Sequence, residues 1–466
     1  MPSTTMKKPK RRPLSLTRSL LNFVKLDFSF DMKRRSPSKT ETNMKSRPTD
    51  DAKANEPKMK PKSPPPRSRV SSDISRPYPI HHSSRKAHIS RRIHTLPPEL
   101  LAHIFVLGTE NNTMFPVTLS HVCSTWRRLA LSTPSLWRRI VLDHRTDMWQ
   151  ERIRRAKACS LDIQLSSRIY REVESGRLVR HQVLDFYNVH WYMDVANPWI
   201  HRWRTFEVIF HDYAPWLWNA ALAECCTKNP FLSAPALEEL VLVHPHNDDT
   251  KEFLLFGGRA PRLRRVALNG IRLAWLPSLF ANLTVLDYTH HGFTVGSTAV
   301  TEVLSMLSVS SSLSELRVSF PSRMRLVAAS PLDRRAITLP YLSRLVLRVQ
   351  TPDIPVELLL VATHLITPSL RSLHLLDDTR ALSSFPALHT FLRTYSKPKR
   401  LASLRVEGGW YDFRLVGKWV GRLASLSRFI VKDGMGRERV LVGAGRPRTA
   451  SGPRFLTERE LNNFDE

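Results

Sequence analysis

Cysteine is scarce. The 466 residues hold four, Cys123, Cys159, Cys225 and Cys226, with no C-x-x-C pair. An adjacent pair such as Cys225-Cys226 is poor material for a disulfide framework, so a reducing compartment, cytoplasmic and/or nuclear, is expected. No run approaches eighteen consecutive apolar residues and no signal-peptide pattern is visible, which disfavours membrane spanning and secretion. The sequons at Asn111 and Asn282 then carry no meaning. Catalytic motifs are missing too. There is no H-E-x-x-H, Walker loop or G-x-S-x-G elbow, and Gly434-Met435-Gly436 and Gly443-Ala444-Gly445 lack a third glycine. None of the eighteen histidines has metal spacing with cysteine, and His81-His82 and His290-His291 read as surface or loop residues rather than ligands. The expectation is a non-catalytic protein with no cofactor and no metal.

Acidic residues are also few, 41 against 71 Lys and Arg, for a formal charge of +30. The imbalance is local. Residues 1–92 contain 24 Lys and Arg against 7 Asp and Glu, with twelve of the 33 prolines. Such a segment cannot offset an ordering entropy of about 1–2 kcal/mol per residue, so a disordered basic tail is expected. Within it, Lys7-Lys8-Pro9-Lys10-Arg11-Arg12 has the pattern of an import signal, Ser36-Pro37 and Ser63-Pro64 could accept phosphate, and Pro61 to Pro66 suits polyproline II. Leu14 to Phe30 is an apolar island, read either as a short partner-binding helix or as a presequence. Residues 435–466, rich in Gly, Pro and Arg with an acidic end, read as a flexible tail.

Between the tails, three short helices are expected first. Pro98 suits the first turn of a helix, where its missing N–H costs nothing, with Glu99 beside the positive helix end. Leu100, Leu101, Ile104, Phe105 and Leu107 follow as one apolar stripe, and Gly108 is a candidate stop. A second stripe runs through Leu119, Val122, Cys123, Trp126, Leu129 and Ala130, where Cys123 packs rather than reacts. Ser132-Thr133-Pro134 breaks it and caps a third helix carrying Leu136, Trp137 and Ile140. Three such helices bury little alone and leave apolar surface for a partner; an ordinary helical hairpin is the plain alternative.

The ordered elements Leu96-Pro97-Pro98-Glu99-Leu100, Val122-Cys123-x-x-Trp126 and Pro134-x-Leu136-Trp137 resemble an F-box of the fungal F-box-like type, covering 93–143. The resemblance implies docking onto the Skp-type adaptor of a cullin–RING ubiquitin ligase through Leu96, Pro97, Leu100, Leu101, Ile104, Phe105, Val122, Cys123, Trp126, Leu129 and Trp137.

From 144 onward the chain repeats itself. A helix over Thr146–Ala158 leads to an alternating strand at Leu161–Leu165. The pattern L-x-x-L-x-L then starts at Leu237, Leu263, Leu283, Leu313, Leu342, Leu370, Leu401 and Leu426, at intervals of 26, 20, 30, 29, 28, 31 and 25 residues. Trp203, Phe206 and Val208 form an earlier, degenerate copy. Helical stripes fall between, at Val300 to Leu307, Val356 to Ile366, Phe385 to Tyr395 and Phe413 to Leu423. The period resembles leucine-rich repeats, which implies one short strand plus a helix or loop per unit, stacked over a continuous core. Position nine, usually Asn or Cys, holds neither in any copy. The expected fold class is therefore mixed α and α/β: an all-α unit at 93–143, then an irregular leucine-rich-repeat-like α/β solenoid over 144–434, with a compact α/β domain as alternative.

Residues interleaved with the motif leucines point out of the sheet. They include Glu239, Asn269, Asp287, Glu315, Glu407 and Lys432, and a basic set, Arg265, Arg317, Arg344, Arg348, His374, Arg405 and Arg428, which forms the candidate substrate-binding surface. Guanidinium pairs bidentately with carboxylate and phosphate, which suits an acidic or phosphorylated target; a solvated basic face is the alternative. Together these features predict a ligase substrate receptor acting by proximity. Two alternatives stand beside it: a nucleic-acid-associated scaffold using the basic tail, and an F-box protein working outside the ligase.

Overall fold

The computed structural model describes residues 96–109, 112–173, 176–226, 232–321, 336–395, 398–421, 423 and 425–442. The basic tail with its import-like hexamer, its apolar island and its Ser-Pro sites lies outside the described residues. The chain divides after Pro97: Leu96 and Pro97 are exposed, and the second unit runs from Pro98 to Glu466.

Helix α1, Pro98–Gly108, starts at the expected proline, with Glu99 in its first turn. Leu101 and Phe105 are buried, whereas Leu100, Ile104 and Leu107 are not, so the stripe divides into a core edge and a solvent edge. Gly108 ends the helix where the Phe115 ring presses on the backbone, since a Cβ there would lie 2.3 Å from that ring.

The stripe from Leu119 to Ala130 is not one helix. It falls on α2, Phe115–Ser120, and α3, Ser124–Ser132. Cys123 separates them because its backbone is extended (φ −159°, ψ 170°) and its Sγ caps α3 by accepting the Trp126 N–H at 3.5 Å. The expected third helix is only a 3-10 turn, Pro134–Trp137, and Ile140 lies on a strand, β1, Arg139–Leu142. Trp137 ends the turn because its buried indole donates to the Ala130 carbonyl oxygen at 2.8 Å. Helix α4, Thr146–Arg155, follows, with Trp149 and Ile153 in the core.

β1 is the edge of a twelve-stranded sheet. Its other strands are β2 (Leu161–Ser166), β3 (Trp203–Ile209), β4 (Glu239–Val243), β5 (Arg265–Asn269), β6 (Val285–Thr289), β7 (Glu315–Phe320), β8 (Arg344–Val349), β9 (Ser372–Asp377), β10 (Ser403–Glu407), β11 (Arg428–Lys432) and β12 (Glu438–Val442). Spatial order follows chain order throughout, and every neighbouring pair is parallel except β11 with β12. β12 lies within the segment read as a flexible tail. An antiparallel return after Asp433–Gly436 lets it use the free edge of β11, which periodicity in 435–466 does not reveal.

Parallel neighbours need crossovers. These carry α5 (Phe186–Ala196), α6 (Leu217–Leu222), α7 (Pro277–Phe280), α8 (Gly296–Val309), α9 (Val356–Thr363), α10 (Leu388–Thr394) and α11 (Phe413–Val420). A two-stranded hairpin, Arg168–Val173 with Gly176–His181, precedes α5.

Every L-x-x-L-x-L copy falls on one strand of this sheet. Leu240, Val266, Leu286, Leu316, Leu345, Leu373, Leu404 and Phe429 stand opposite one another in consecutive strands. All eight are buried, and the opening leucines Leu237, Leu263, Leu283, Leu313, Leu342, Leu370 and Leu401 are fully so. Each fully buried Leu contributes about 2 kcal/mol, so the repeat is also a large source of stability. Instead of an asparagine ladder, hydroxyls tie successive copies together: Thr284, Ser314, Ser343 and Ser427 each donate to a backbone carbonyl of the preceding copy, at 2.9–3.1 Å.

Candidate functional site

Two surfaces gather the residues expected to bind partners. On the helical unit, Leu100, Ile104 and Leu107 occupy positions i, i+4 and i+7 of α1, and all three are about half exposed. Val122 and Leu131 are also exposed apolar residues of this unit. Of the other expected docking residues, Leu101, Phe105 and Trp137 are core, and Cys123, Trp126 and Leu129 are partly buried. Phe105 and Trp126 meet edge to face with ring centroids 4.8 Å apart. The core members therefore shape the unit, while Leu100, Ile104 and Val122 offer surface. Leu107 and Leu131 were absent from the expected docking set. For Leu107 the helical spacing alone was signal enough.

The second surface is the sheet face that carries the interleaved residues. One row across it reads Glu239, Arg265, Val285, Glu315, Arg344, Ser372, Ser403 and Arg428. Asp287, Arg317, Val346, His374, Arg405 and Ile430 form the adjacent row. The structure thus brings all seven candidate residues to one face, and it pairs most of the arginines. Arg265 meets Glu239 at 3.2 Å, and Arg317 lies between Glu315 at 2.7 Å and Asp287 at 3.3 Å. Arg348 faces Asp378 at 3.5 Å, while Arg405 meets Glu407 at 2.6 Å and Glu438 at 3.3 Å. Arg344 is 3.7 Å from Glu315 and donates to His374 Nδ1 at 3.4 Å. Burial, then the charges of Arg344, Arg405 and Arg317, pushes His374 down to about 4, so the field around it is positive despite the pairing.

His290 and His291, expected in a loop or on the surface, are buried just beyond β6. Each Nδ1 accepts a backbone N–H, from Gly292 and Phe293 respectively, at 3.1 Å, which places the ring proton on Nε2. Both Nε2 atoms face Glu302 Oε2, at 3.5 and 3.1 Å. Thr294 donates to the same oxygen at 2.7 Å, and Arg272 reaches the other at 3.1 Å. His290, His291 and Glu302 are close enough to surround a cation. The donor set does not fit one: ligation through neutral Nε2 would put a proton on each Nδ1 against a backbone N–H, beside the Arg272 charge. Burial and the neighbouring His290 push His291 down to about 4. For Glu302, burial acts upward, but hydrogen bonds from His290 and Thr294 outweigh it and hold the carboxyl at about 2.

No helix among the described residues is long and apolar enough to cross a membrane. No curated protein matches the chain. Residues 93–143, which hold the exposed face of α1 and the Phe105–Trp126 contact, match the family of F-box-like domains. The chain therefore carries an F-box-like domain at residues 93–143, a protein-interaction module.

Proposed function

We propose that this protein is a non-catalytic substrate receptor of a Skp–cullin–F-box ubiquitin ligase. The observation that carries the reading is the half-exposed apolar row Leu100, Ile104 and Leu107 on the first helix of an F-box-like domain. F-box domains typically bind Skp-type adaptors, and an apolar row of this kind supplies anchors of about 2 kcal/mol each when a partner covers it. Eight consecutive parallel strands in chain order, β4 to β11, one to each copy of a pattern that recurs every 20–31 residues, support a leucine-rich-repeat-like domain as the part that holds the target. Ubiquitin transfer then becomes effectively intramolecular and needs no acid or base from this chain. The cytoplasm and/or nucleus is the matching location.

Binding of the full chain to the purified adaptor tests this directly. Micromolar or tighter binding, weakened at least about tenfold by Leu100→Asp or Ile104→Asp in folded protein, supports the reading. Folded protein that does not bind removes the ligase role.

A further inference from the structure

On the C-terminal half of the polar sheet face, the row Arg344, Ser372, Ser403, Arg428 has two small residues between two arginines. Four neighbouring strands place Arg344 and Arg428 three strand spacings, about 14 Å, apart at the backbone. The adjacent row walls this gap with His374 and Arg405, which are directly opposite each other in register. The small serine side chains therefore lie lower on the face than the arginines around them.

Part of the hydrogen-bonding capacity of this stretch is unspent. Among the described residues, the side-chain hydroxyls of Ser372 and Ser403 have no partner and Arg428 has no ion pair. This contrasts with Ser314, Ser343 and Ser427, whose hydroxyls close on the backbone of the preceding copy. Arg344 lies 3.7 Å from Glu315 and donates to His374 Nδ1 at 3.4 Å, and its side chain remains about two-fifths exposed. The acidic groups nearby, Glu407 and Glu438, are both engaged by Arg405.

We propose that this low stretch of the face binds a phosphoryl group on a protein target, with Ser372 and Ser403 donating from below and Arg428 and Arg344 closing from either end. The proposal rests on the receptor reading of the sheet face, and narrows it to one half of that face. A phosphoryl group matches donors arriving from several directions, because it has three acceptor oxygens and carries about −1.5 to −2 charge. A carboxylate, with two oxygens in a plane and one charge, would leave part of the set unused. The pKa of His374 is lowered first by burial and then by the charges of Arg344, Arg405 and Arg317, a positive contribution that a dianion would offset.

The test uses inorganic phosphate and the full chain labelled at histidine carbons, with the His374 ring signal identified by its loss in His374→Gln. Phosphate should displace that signal saturably. Arg428→Gln, and Ser372→Ala with Ser403→Ala, should each weaken the apparent affinity about tenfold. Acetate should act far more weakly. An unmoved His374 signal, equal affinity in Arg428→Gln, or acetate acting as well as phosphate would each overturn the proposal. The readout is at His374, so binding of phosphate to the basic tail does not mimic it. Adaptor binding is measured separately, so failure here and failure of the ligase role are distinguishable.

Discussion

The guanidinium of Arg152 lies over the ring of Trp137, 5.6 Å from its centroid, and joins the F-box-like unit to the rest of the fold. Arg152 is 1% exposed, lies 5.4 Å from the Trp149 centroid, and donates through Nη1 to the Thr113 carbonyl oxygen at 2.6 Å. Burial, with help from the charges of Arg139, Arg145 and Arg155, pushes its pKa down to about 10, so it remains charged near neutral pH.

Arg152→Ala is expected to destabilise the protein by about 2 kcal/mol or more, through a cavity beside two indoles and an orphaned Thr113 carbonyl. Arg152→Lys should recover little, because an ammonium lacks the flat face that stacks on Trp137. Urea unfolding followed by tryptophan fluorescence measures both.

Docking and core roles on α1 should separate cleanly. Leu100→Asp and Ile104→Asp should change folding stability by no more than about 0.5 kcal/mol while abolishing adaptor binding. Phe105→Ala, next to Trp126, should cost about 3 kcal/mol of stability, with binding lost only as the fold is lost. Paired melts and binding isotherms decide it.

Acid should unfold the protein in two stages through the cluster at Glu302. A free histidine takes up its proton near 6.5, but buried His291 resists until about 4, so the unfolded chain binds that proton first. Stability therefore falls as pH drops from about 6.5 towards 4. Glu302 adds stability that is present above its ordinary value of 4.5 and is lost as pH falls towards about 2. His374 shares the upper window. His291→Asn should shrink the upper stage, leaving the part due to His374, and should weaken the lower one because His291 helps to hold the Glu302 carboxyl down, as read from denaturant midpoints across pH.

Gly270 follows β5 at φ +71°, and a Cβ there would lie 1.9 Å from the His244 carbonyl oxygen. Backbone cannot yield as a flexible side chain can, so Gly270→Ala should cost about 2 kcal/mol or more. The loss should appear as a lowered melting temperature and a disturbed Trp218, whose indole donates to the Gly270 carbonyl oxygen at 3.1 Å.

Much of this architecture was legible from periodicity. The motif residues, with Trp203, Phe206 and Val208 in the degenerate copy, foretold β3 to β11, because a period-two pattern recurring at a nearly constant interval marks the buried face of each strand. Val300, Val303, Leu304 and Leu307 marked α8 for the same reason at the helical period. Local spacing misled at Cys123 and Ile140. The stripe continued through Cys123 on paper, but an extended backbone and a sulfur cap interrupted the helix, and Ile140 took the free edge of β2 opposite Ile163.

The spacing of apolar residues was enough to specify which side chains are core and which strand each belongs to, because burial of a face needs only a local period. Which charges meet was settled by register. Asp287 and Arg317 are thirty residues apart, and they pair because parallel strands set them directly opposite on a half-buried surface. Among the described residues, the same register left the Ser372 and Ser403 hydroxyls without a partner and Arg428 without an ion pair in one row, and the folding-back of the chain beyond β6 turned two adjacent histidines and a distant Glu302 into one buried cluster. Such pairings depend on distances that a linear chain does not contain.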